Sequence, residues 1–356
     1  MISTYQPTLN DLSAQGSTQA ALHERAAMLR RQTFGCRVFV RAVVEVSNYC
    51  RENCHYCGMR RDNHALTRFR AVPEQLAEWI VSHCPPSVRD INIQGGEDPV
   101  AVREIALPLL RLLRKETQLG LSICFGTLTD AIYNELWEAG ARFYVLKFET
   151  SNASLYTTMQ APGTLTERIQ HVRLLAAKSW RVSSGFIAGL PRQTPAQLLD
   201  DLETARSLPL AGCSVSPFIP GESTPLSGGS AGDMSLTLNC MAMLRLMRPD
   251  WLIPAVSALC LNGSNDGYRR GLGAGANLVT INLTPSMERK SYLLYKRDRI
   301  IMTEERVLDE IEKAGLTPAT ESLLNCPAAP PPIAPVGRMA GSLAHNRAVV
   351  ESAVNQ

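Results

Sequence analysis

The sequence predicts an α/β fold, specifically a (β/α)₈ TIM-type barrel with an N-terminal helix and a proline-rich C-terminal tail. Eight short apolar, β-branched stretches recur along the chain, amphipathic helical patterns separate most of them, and the alternation is regular. Such alternation implies parallel strands joined by right-handed crossovers. Eight repeats favour closure into a barrel over an open doubly wound sheet, which is the alternative. The chain has 356 residues, more than one typical domain, but α/β barrels of ~250 residues or more form a single unit.

Residues 1–16 read as a flexible leader, and 17–324 as the barrel domain. From Gln19 to Gln32, strong helix formers recur with helical periodicity. The strands then follow as VFVRAVVEV (38–46), DINIQ (90–94), LSICF (121–125), RFYVLKF (142–148), RVSSGFI (181–187), CSVSPF (213–218), LIPAVSAL (252–259) and NLVTINL (277–283). Between them, segments such as PEQLAEWIVSHC, VREIALPLLRLLRKE and PAQLLDDLETARS place apolar residues at i, i+3 and i+4. MTEERVLDEIEKAG supplies a last helix. NCPAAPPPIAPVG (325–337) cannot continue it, so residues 325–356 are expected to form a mobile tail.

The formal net charge is +3, with basic and acidic residues interspersed, which points to neither nucleic acid nor a membrane surface as a partner. The polar N-terminus lacks a secretory pattern and no apolar run reaches the ~20 residues of a span, so a cytoplasmic location is the default expectation. Ten cysteines in a chain of this length, without a signal, read as reduced thiols.

Three of them stand apart. VVEVSNYCRENCHYCGMR puts Cys50, Cys54 and Cys57 in a C-x3-C-x2-C pattern directly after the first strand. Closely spaced thiolates on a loop can wrap an Fe–S cubane, and three ligands for four irons leave one iron open to a chelating molecule. Zinc completed by His55 or His64 is the competing reading, but no second C-x2-C pair accompanies the triplet. The position after a strand matches where barrel enzymes keep their chemistry.

With Tyr56 just before its third cysteine, the triplet resembles the signature of the radical S-adenosylmethionine (SAM) superfamily. The likeness spans about residues 20–320 and is nearest to the clade of HydE-type [FeFe]-hydrogenase maturases, methylornithine synthases and biotin synthases. FGCRVFVRAVVEVSNYCRENCHYCGMRRDN, NIQGGEDP, FIAGLP, SPFIPGESTPL and GAGANLVTINLTP carry it, and HydE is the most similar. The resemblance implies a [4Fe–4S] cluster on the three cysteines, SAM as cofactor, and an electron donor such as ferredoxin or flavodoxin. It further implies that Gly95, Gly96 and Glu97 hold the SAM amino group and that Glu149 meets the ribose. Arg168 would pair with the methionyl carboxylate, a bidentate match, and the backbone at Phe218 and Ile219 would touch adenine.

For the substrate, a small or organometallic molecule, the candidates are Gln94, Ser257, Asn282, Thr284, Arg289 and Tyr292, with Asn282 and Thr284 equally readable as caps of the last βα turn. Methylornithine synthases carry an acidic residue in the strand-seven stretch where this chain has Ala258, which leaves a substrate ammonium without a partner. A biotin-type sulfur donor needs further cluster ligands, of which only Cys124 and Cys213 are candidates. Two positions depart from HydE: Lys147 for arginine and Thr127 for glutamate, both expected to face the site. A non-catalytic Fe–S protein is the reading from another class.

Overall fold

A computed structural model describes residues 3–261, 266–296 and 300–326. The fold follows from the two-residue alternation of its first strand, β1 (Arg37–Ser47). Val38, Val40, Ala42, Val44 and Val46 face outward into the large apolar core beneath the helices. Arg41, Val43 and Glu45 face inward and line a central cavity. The remaining strands repeat this division: β2 (Asp90–Gly95), β3 (Gly120–Cys124), β4 (Phe143–Val145), β5 (Arg181–Ala188), β6 (Gly212–Pro217) and β7 (Leu278–Asn282). All pair in parallel, in the order β6-β5-β4-β3-β2-β1-β7.

The expected seventh strand, LIPAVSAL, is only partly a strand. Leu252 bridges Gly212 and Pro254 bridges Leu278, so this short segment links the two edges of the sheet. Pro254 has no N–H to donate, and the chain turns into a 3₁₀ helix at Ser257–Cys260 instead of extending to 259. An unexpected short strand, β8 (Thr317–Pro318), pairs with the start of β1. β4 is shorter than RFYVLKF suggested, although Leu146 N still donates to Ser183 O and Glu149 N to Gly185 O.

The helical layer matches the periodicity, beginning with Gly16–Phe34. Within VREIALPLLRLLRKE, a wide turn at Val102–Ala106 precedes Leu107–Glu116. Pro108 cannot donate to the carbonyl four residues back, so the ladder loosens there. The leader is more ordered than expected. Leu9–Leu12 is a helical turn with a Thr8 capping box, Leu12 and Ala14 are buried, and Asn239 Nδ2 donates to both their carbonyls. The tail beyond Cys326 lies outside the described residues. Among those described, no helix is long and apolar enough to cross a membrane.

Candidate active site

The C-terminal strand ends surround a cavity of about 350 Å³. Residues 48–71, between β1 and the helix Pro73–His83, form one wall and carry Cys50, Cys54 and Cys57, all of which line the space. Burial raises all three thiols above their ordinary value, Cys57 to about 12. Among the described residues no three His, Cys, Asp or Glu side chains converge as they would on a single ion. A cubane makes no such demand, since each thiolate binds a different iron. Three thiolates lining one cavity are a donor set that fits such a cluster.

The Gly-Gly-Glu segment packs directly on the cysteine loop. A Cβ on Gly96 would lie 2.1 Å from Tyr49 O and 2.8 Å from Cys50 Cβ, so only glycine permits this approach. Glu97 N donates to Cys50 Sγ at 3.3 Å. Opposite, Gly126 adopts φ +71°, and a Cβ there would fall 2.0 Å from the Glu97 carboxyl.

Arg168 and Glu97 form a buried ion pair at 2.5 Å, and Arg168 Nε donates to Lys147 O at 2.7 Å. Burial opposes the arginine charge, but Glu97 outweighs it and the guanidinium pKa is raised. The guanidinium expected to meet a methionyl carboxylate thus has a resident partner, although both residues line the cavity.

Glu149 sits at the tip of β4 with a left-handed φ of +63°. Among the described residues its buried Oε2 accepts no hydrogen bond, its cation being Lys147 Nζ at 3.4 Å. Glu149 lines the cavity, and a carboxylate oxygen with capacity left beyond one ion pair fits a ligand hydroxyl. The turn behind it is fixed by Asp201, fully buried, whose carboxylate accepts from Ser151 N, Ser151 Oγ, Thr150 Oγ1 and Gln193 Nε2.

Tyr56, Gln94, Gly95, Phe218, Ile219, Ser257, Asn282 and Tyr292 also line the cavity. Thr284 and Arg289 do not. Thr284 is buried behind the wall, its Oγ1 accepting from Glu45 N, and Arg289 Nη1 donates to Thr284 O. Asn282 lines the cavity and also caps the turn: its Oδ1 accepts from Thr284 N, while its Nδ2 donates to Glu45 Oε1. Lys147 lines the cavity as expected, whereas Thr127 does not, its O and Oγ1 accepting from Arg51 Nη2.

Arg41, Glu45, Asn92 and Thr280 were missed in the sequence reading, yet they carried a signal. Each is a polar residue at an alternate position of an apolar strand, and that alternation points it into the barrel.

A barrel with its cavity and thiol loop at the C-terminal strand ends has the layout of an α/β-barrel enzyme. The chain belongs to the radical SAM superfamily, whose model matches residues 44–205. It is 34% identical to the [FeFe] hydrogenase maturase subunit HydE of Thermotoga maritima over 77% of this chain and 78% of that protein. It is 29% identical to the 3-methylornithine synthase of Methanosarcina barkeri over 92% of this chain and 95% of that one. A crystal structure of methylornithine synthase (PylB) superposes with a TM-score of 0.78 at 28% identity, covering 89% of this chain and 95% of that chain. The chain is therefore a radical SAM enzyme of the HydE, methylornithine synthase and biotin synthase type.

Proposed function

We propose that this enzyme is a HydE-like maturase, holding a [4Fe–4S] cluster on Cys50, Cys54 and Cys57 and acting on a cysteine-ligated iron–carbonyl–cyanide precursor of a metallocofactor. Cluster and SAM, when bound, supply a 5′-deoxyadenosyl radical after one-electron reduction by an external donor such as a ferredoxin or flavodoxin. The chain binds, orients and shields. Gly95, Gly96 and Glu97 present backbone and carboxylate to the SAM amino group, Glu149 offers its carboxylate to the ribose, and Phe218 and Ile219 wall the adenine. Arg168 is held by Glu97 where a methionyl carboxylate would compete for it.

The observation that carries the substrate reading is the lining away from the cysteine loop. Arg41 and Lys147 project there among Asn92, Ser183, Ser214, Ser216 and Thr280. Lys147 already meets Glu149, but Arg41 donates to the neutral Thr280 Oγ1, and a cation enclosed among hydroxyls and amides favours an anionic ligand. Ala258, buried on the same lining, gives a substrate ammonium no carboxylate. Glu45 supports the second reading, a methylornithine synthase-like reaction on an amino acid, because its carboxylate also lines the cavity.

The test is anaerobic reconstitution with dithionite and SAM, with chromatography for 5′-deoxyadenosine. A cysteine-ligated iron dicarbonyl cyanide complex is expected to accelerate deoxyadenosine formation and to be converted. Acceleration by a free amino acid from a panel of the standard set, and not by the complex, would replace this reading with the second.

A further inference from the structure

Resting on the assignment of the three cysteines to a cluster, we infer that Arg68 is the positioning residue that holds their loop in ligating shape and supplies its uncompensated positive charge. Arg68 Nη1 donates to Asn48 O at 2.5 Å and to Met59 O at 2.9 Å. Those carbonyls lie two residues before Cys50 and two after Cys57, so a single nitrogen ties together both ends of the ligand-bearing segment. Nη2 donates to Arg60 O at 2.7 Å and reaches Asn63 O at 3.3 Å and Arg61 O at 3.4 Å, gathering the turn that follows.

Only a planar fork with several N–H groups can serve so many carbonyls from one side chain. The fork is itself held in place. Asn48 Nδ2 donates to Thr67 O at 2.8 Å, while Asn48 Oδ1 accepts from Phe69 N at 2.8 Å. The residues on either side of Arg68 are thus pinned to the start of the loop.

Among the described residues Arg68 makes no ion pair, unlike Arg51, Arg60, Arg61 and Arg70 nearby, which meet Glu52, Asp62 or Asp98. Its charge falls within electrostatic reach of Cys50 and Cys57. A cluster becomes more negative on reduction, so an unpaired cation beside its ligands favours the reduced state and raises the potential.

Arg68→Lys keeps the charge and loses the fork; Arg68→Gln loses both. Each is reconstituted alongside wild type, and three quantities are read: iron and sulfide per chain, the rate of iron loss to a chelator, and the midpoint potential by EPR-monitored titration. Iron loss roughly tenfold faster than wild type is expected in both variants, the scale usual for outer-shell partners of metal ligands. The potential should fall in Arg68→Gln and hold in Arg68→Lys. Wild-type iron retention in both variants, or an unmoved potential in Arg68→Gln, would overturn the inference. If Arg68→Gln does not fold, as judged by circular dichroism, Arg68→Lys decides through its iron-loss rate alone. Failure of wild type to build a cluster would instead overturn the cysteine assignment on which the inference rests.

Discussion

At the N-terminal end of the strands, Phe39, Phe143, Leu252 and Leu278 close the barrel against Phe34 and Leu323 in a small apolar cluster. At the other end the same strands and their loops present the polar Glu97, Lys147, Glu149 and Asn282 to the cavity. One end excludes water by packing. The other keeps buried charges that cost stability unless paired. The closed end is also fastened from outside: Asp90 accepts from Ser322 Oγ at 2.5 Å and Leu323 N at 2.9 Å, and Arg181 Nη1 donates to Leu324 O and Cys326 O. The barrel thus separates what keeps it folded from what lets it react, although both occupy inward positions of the same strands.

The largest expected effect lies wholly at the open end. Cys54→Ala should abolish cluster assembly and SAM cleavage while leaving the apoprotein folded. Retained deoxyadenosine formation would break the ligand assignment. Next comes the closed end, where Phe143→Ala should cost about 3–5 kcal/mol of unfolding free energy. Urea titration reads that loss, and SAM affinity per folded molecule should hold. A matching fall in affinity would show that the two ends are not separable.

Glu97→Gln strands the buried Arg168 charge and should cost a similar ~3–5 kcal/mol, this time with weakened SAM binding. Equilibrium dialysis with labelled SAM distinguishes it from the Phe143 variant, and unchanged affinity would remove Glu97 from the binding set.

The smallest effect is a pH slope. Burial raises Asp201 to about 6, with the Ser151, Thr150 and Gln193 hydrogen bonds pulling the other way. In the unfolded chain an aspartate titrates near ~3.9. Between these values the folded state holds the extra proton, so this group's contribution to stability declines as pH rises from roughly 4 to 6, on the order of 2–3 kcal/mol in all. Asp201→Asn has no proton to release there. Denaturant unfolding of both proteins at pH 4.5 and 6.5 should show the slope reduced in the variant, and identical slopes would sink the account.

The strand order and the cysteine loop were legible in the sequence because both depend on local pattern: period-two apolar alternation, helical spacing between strands, and three thiols within eight residues. The partnerships were not. Glu97 and Arg168 are 71 residues apart, and nothing in either neighbourhood announces that they meet. Thr284 read as a contact because it follows Asn282 past a strand end, where a cap and a cavity residue look alike in one dimension. LIPAVSAL read as a full strand because its apolar run is also what a buried bridge and a 3₁₀ turn require, and Pro254 was the one residue arguing for the shorter form. Arg68 escaped notice because its partners are all backbone carbonyls, which leave no trace in side-chain pattern.

The segment at Leu252–Pro254 has a mechanical consequence. β1 and β2 share an extended register from Arg41 to Ser47. The seam between β6 and β7 is held by Leu252 N to Ala211 O, Cys213 N to Leu252 O, Asn277 N to Ile253 O and Ala255 N to Leu278 O. That seam is thinner than the one between β1 and β2, and a hoop opens more readily where it is stitched thinly. Amide exchange at Cys213 and Asn277 should therefore outpace that along β1, and a substrate too bulky for the mouth would find its give on that side.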